Sequence, residues 1–78
     1  MKSEKLKMYF ELFTDFWRLF KKYSDVKNTE KYWNEVQNEC RRLREKYGKT
    51  AFVSRVLAEI QLELERCGKA EKDEGKHI

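Results

Sequence analysis

Proline is missing from the 78 residues altogether, glycine occurs three times and histidine once. So few of the residues that punctuate sheets and long loops favours extended helices over turn-rich β structure. One histidine, His77, with two cysteines, Cys40 and Cys67, leaves too few convergent ligands for zinc and no base beside a thiol nucleophile. No apolar run approaches the roughly 20 residues of a membrane span. Lys2, Glu4, Lys5 and Lys7 also break up the apolar stretch that a secretory leader needs. The expectation is a cytoplasmic protein whose two cysteines stay reduced on apolar helix faces.

What is abundant is charge, 41% of the residues, and aromatic side chains, 14%. Eighteen Lys and Arg stand against 14 Asp and Glu, a net charge of +4, so most cations have an anion available and a polyanionic partner is permitted but not required. The length holds one core and no more.

The apolar positions repeat at helical spacing in three segments. Ser3 is placed to cap a first helix over about 4–23, in which Leu6, Tyr9, Phe10, Phe13, Phe16, Trp17, Phe20 and Tyr23 recur at steps of three and four. On a wheel of about 100° per residue they span an arc near 200°, more than one neighbouring helix pair covers. Asn28 or Thr29 caps a second helix over 29–47 that Gly48 stops. Its seam is Trp33, Val36, Cys40, Leu43 and Tyr47, flanked by Tyr32. Thr50 caps a third helix over 51–67 so soon after Gly48 that the two form a tight antiparallel hairpin. Val53, Val56, Leu57, Ile60, Leu64 and Cys67 line its inward face, Phe52 lies at the edge, and Ala58 and Leu62 point elsewhere. The fold expected is an all-α antiparallel three-helix bundle spanning 1–68. Gly68 ends it, and 69–78 is expected to be a disordered charged tail. Antiparallel pairing separates the two thiols by more than about 10 Å, beyond disulfide reach.

No catalytic constellation emerges. Gly48-Lys49-Thr50 imitates the end of a phosphate-binding loop, yet position 43 holds Leu43 where that loop needs glycine. The helical spacing of Glu35 with Glu39, and of Glu59 with Glu63, is that of a solvated exterior. No catalytic, metal or cofactor residue and no small-molecule substrate is therefore assigned. Arg41, Arg42, Arg44, Lys46 and Lys49, joined across the turn by Arg55, are the candidate nucleic-acid contacts. The same cations also suit a helix C-terminus and pairing within the helix, Arg41 with Glu45 and Arg42 with Glu39.

The aromatic surplus of helix one is the stronger signal, because rings that a monomer cannot cover mark association surfaces. Phe10, Phe13, Trp17 and Phe20 are expected to hold helix one on the hairpin, leaving Tyr9, Leu12, Phe16 and Leu19, with Leu62 on helix three, for a partner.

Tyr32-Trp33, Arg44-Glu45-Lys46-Tyr47-Gly48, Phe52 and Leu57-Ala58-Glu59-Ile60, preceded by Phe10, Phe13, Phe16-Trp17 and Phe20-Lys21-Lys22-Tyr23, resemble a group of small helical proteins of gut bacteria and their mobile elements. The resemblance covers about residues 6–66. It implies a bacterial cytoplasmic setting and brings no activity or site residue with it. The function expected is a non-enzymatic protein-interaction module, a homodimer through helix one. The alternatives are a nucleic-acid-binding accessory protein and a phage- or transposon-type adaptor or inhibitor of a host protein.

Overall fold

A computed structural model describes residues 1–76, with the side chains of 1–69. It has three helices, α1 (Ser3–Lys22), α2 (Glu30–Tyr47) and α3 (Ala51–Lys76), and no strand among the described residues. Each helix packs on the other two, so the all-α three-helix bundle read from the periodicity is the architecture observed.

The helix ends follow local chemistry. The Thr29 hydroxyl accepts from the Tyr32 amide at 3.2 Å, and the Thr50 hydroxyl accepts from the Val53 amide at 3.2 Å, each satisfying a first-turn donor that has no intrahelical partner. Gly48 closes α2 at φ 93° and ψ 154°, a region essentially reserved for glycine. It lets the chain reverse within three residues. At the α1–α2 corner the Ser24 hydroxyl donates to the Lys21 carbonyl at 2.8 Å, and the Tyr32 hydroxyl donates to the Tyr23 carbonyl at 2.6 Å in a buried position. That second bond ties the start of α2 to the end of α1.

The core is built from one stripe of each helix: Leu12, Phe16, Leu19 and Tyr23 of the first segment, Tyr32, Val36 and Cys40 of α2, and Val53, Leu57 and Leu64 of α3. On α2 the expected Val36 and Cys40 are the buried centre, with Leu43 and Tyr47 packed beside them. Only the first turn differs: Tyr32, expected as a flank, is buried and Trp33 is half-buried beside it, the Tyr32 hydroxyl meeting the Tyr23 carbonyl. Both cysteines are free, Cys40 buried and Cys67 half-buried. Burial pushes the Cys40 thiol above its ordinary pKa, as desolvation penalises a thiolate.

Two expected boundaries need correction. Lys2 is the N-cap of α1 and makes no side-chain cap, while Ser3 is already helical. Gly68 does not end α3, which runs on to Lys76. A Cβ on Gly68 would come within 2.9 Å of Val26 Cγ1, so this glycine lets the α1–α2 connection press against α3. The residues after it, Ala70 to Lys72 among them, are good helix formers that continue the helix. Of the tail expected to be disordered, His77 and Ile78 lie outside the described residues.

Candidate interaction surface

The ion pairs orient α1. Lys46 Nζ donates to Asp15 Oδ2 at 2.9 Å and Lys22 Nζ to Glu39 Oε1 at 3.2 Å, so α1 and α2 run antiparallel. The Tyr47 hydroxyl also donates to Asp15, and that hydrogen bond, followed by the one from Lys46, holds the Asp15 carboxyl below its ordinary pKa. On the other flank the Phe52 ring sits edge-on to Tyr9 at 5.9 Å and to Phe13 at 6.0 Å. Phe20 shares a shallow groove with Val56 and Ile60. Thus α1 and α3 run side by side in one direction, Phe52 level with the middle of the Tyr9–Phe13 turn.

This placement reverses the expected assignment of the two arcs of α1. Leu12, Phe16 and Leu19, assigned to a partner, are buried in the core, and Tyr9 is half-buried against it. Phe10, Phe13 and Trp17, assigned to the hairpin, point outward with 72%, 54% and 59% of their surface exposed, joined by Leu6 at 54% and Phe52 at 43%. Phe20 alone of the expected anchors packs against the core, from its edge. The physical reason is charge: Asp15 and Lys22 border the Leu12–Leu19 arc, and their partners Lys46 and Glu39 lie on α2. Leu62 is 44% exposed but lies about 100° or more around α3 from Val56 and Ile60, apart from the α1 rings.

The exposed rings form a second seam. Leu6, Phe10, Phe13 and Trp17 follow steps of four, three and four, while Tyr9, Leu12, Phe16, Leu19 and Tyr23 follow three, four, three and four. Each is the spacing of a helix-packing stripe, and the two are centred about 120° apart on one helix. At roughly 150–250 Å² for a large aromatic side chain, the exposed parts of Leu6, Phe10, Phe13, Trp17 and Phe52 come to about 500 Å². This approaches the top of the about 300–600 Å² that the largest patch of a typical monomer reaches.

The six basic candidates do not come together. Arg42 pairs with Glu39 at 3.5 Å and Lys46 with Asp15 at 2.9 Å, both on the flank of α2 that faces α1. At about 100° per residue Arg41 and Arg44 fall on the opposite flank, and no Arg41–Glu45 pair forms among the described residues. Arg55 lies beside Phe20 and Glu59 on the α1–α3 side, and Lys49 is exposed in the turn. The carboxylates Glu59 and Glu63 both pair with Arg66, at 3.3 and 2.8 Å.

An open cleft of about 820 Å³ lies between the α1–α2 connection and the hairpin, lined by Val26, Trp33, Gln37, Gln61, Glu65 and Gly68 among others. Among the described residues no buried side-chain polar atom lacks a hydrogen-bond partner, and no group of His, Cys, Asp or Glu is gathered to hold a metal. No helix is long and apolar enough, over the described residues, to cross a membrane. No family model, no curated protein and no solved structure matches this chain.

Proposed function

We propose that this chain is a non-enzymatic interaction module that self-associates through the outer stripe of α1. The observation that carries the reading is the row Leu6, Phe10, Phe13 and Trp17, all more than half exposed and continuous with Phe52 on α3. Removing such a row from water is the dominant favourable term in most associations. Two copies facing each other would bury about 1,000 Å² of apolar surface before their polar flanks are counted, the lower limit of a specific interface. A reversible dimer is the state this area supports.

Sedimentation equilibrium across micromolar to millimolar concentrations tests it. The wild-type chain is expected to shift from monomer to dimer in that range, and Trp17→Glu to remain monomeric with its helical signal intact. Particles that stay single at millimolar concentration overturn the reading. A companion mobility assay with mixed-sequence duplex serves the nucleic-acid alternative: a salt-sensitive shift abolished by Arg41→Glu with Arg44→Glu would favour it.

A further inference from the structure

The outer stripe is self-complementary about its own middle, and this specifies how two copies meet. Leu6, Phe10, Phe13 and Trp17 are spaced symmetrically about a point between Glu11 and Leu12. The geometry points to an antiparallel pairing of α1 with α1 of a second copy, about a two-fold axis through that point, and this rests on the self-association proposed above. The axis sets Leu6 against the partner's Trp17 and Phe10 against the partner's Phe13. The smallest member of the row then faces the largest, which evens the width of the seam, whereas a parallel pairing stacks Trp17 on Trp17 and leaves Leu6 opposite Leu6.

Phe52 supplies an independent constraint. Its ring contacts Tyr9 and Phe13 at 5.9 and 6.0 Å, which puts it level with the Glu11–Leu12 midpoint. Turning one copy about an axis there, perpendicular to α1 and in the plane of contact, keeps α3 on the same side of the seam in both copies. Phe52 therefore meets the partner's Phe52 beside the axis. A parallel pair puts the two α3 helices on opposite sides and leaves both Phe52 rings in water. Two copies paired this way form an isologous, closed interface that uses every one of the five exposed large apolar residues on this face. The occupant is a helix because steps of four, three and four are the periodicity at which one helix tracks another at close range.

The test is a mixing experiment. Phe10→Glu and Phe13→Lys are made as separate chains, both positions being exposed, and folding is checked by helical signal and thermal melt. Alone, each opposes a charge to a phenyl ring twice per dimer and is expected to associate at least tenfold more weakly than wild type. Mixed, an antiparallel heterodimer sets Glu at 10 against Lys at 13 once and Phe against Phe once, so association is expected to recover beyond either chain alone. If wild type dimerises but the mixture gains nothing, the register is overturned while self-association stands. If wild type never dimerises, the reading beneath it falls instead. Should a charged variant lose its helical signal, a Leu6→Cys chain is mixed with a Trp17→Cys chain, both carrying Cys67→Ser. Oxidation is expected to cross-link the unlike chains, and no cross-link at concentrations where wild type dimerises overturns the register.

Discussion

The two stripes of α1 have nearly the same composition and opposite fates. Tyr9, Leu12, Phe16, Leu19 and Tyr23 form or border the core, while Leu6, Phe10, Phe13 and Trp17 face water. Both are apolar, both hold the spacing of a packing seam, and they share one backbone. What separates them lies on the neighbouring helices: an ammonium partner for Asp15 and a carboxylate partner for Lys22 on one side, and a single ring, Phe52, on the other. Apolar character therefore says that a helix face will be covered and leaves open by what, whereas the charges beside it name the neighbour.

Substitutions matched between the stripes test that difference most severely. Phe16→Glu buries a carboxylate in the core and is expected to unfold the bundle or cost more than about 3 kcal/mol. Phe10→Glu, on the outer stripe where the ring is 72% exposed, is expected to leave the monomer's unfolding free energy within about 0.5 kcal/mol of wild type. Urea melts at a concentration where the chain is monomeric compare the two, and equal losses would erase the distinction between inner and outer seams.

A smaller effect is expected where the inner seam is pinned at its end. Tyr32→Phe removes the buried hydroxyl that donates to the Tyr23 carbonyl and is expected to cost about 1–2 kcal/mol with no change in self-association.

The smallest effect concerns the charges that choose the inner seam. Asp15 has a folded-state pKa below its ordinary value because Tyr47 and Lys46 donate to its carboxylate. Its stabilisation is therefore complete above the unfolded value near 3.8 and is lost as pH falls through the lower folded value. Asp15→Asn is expected to cost about 1 kcal/mol at neutral pH and to flatten the acid limb of a stability profile taken from pH 6 to pH 2. A profile of unchanged slope would show that the carboxylate does not orient α1.

Much of the fold was legible from spacing and caps. Thr29, Gly48 and Thr50 mark their turns by side-chain chemistry that needs no tertiary context, and the stripes of α2 and α3 are narrow enough to have one reading. The 200° arc of α1 is not, since periodicity alone weighs both halves equally. The signal that decides it is long-range: Asp15 and Lys22 are seven residues apart, as are Glu39 and Lys46 with the signs matched for antiparallel pairing. Gly68 misleads for a related reason. A glycine late in a helical pattern looks like a terminator, and only the approach of Val26 from a distant connection reveals it as a point of contact. The basic candidates look contiguous along the chain but are dealt to different flanks by the helical turn.

The enclosure of Cys40 has a practical corollary. With no exposed surface and a thiol whose ionisation burial opposes, it should resist alkylating reagents until the helices separate, while half-buried Cys67 should react sooner. The unmodified chain thus carries its own clock for opening, and the labelling rate at the slow thiol measures how often three helices let go of one another.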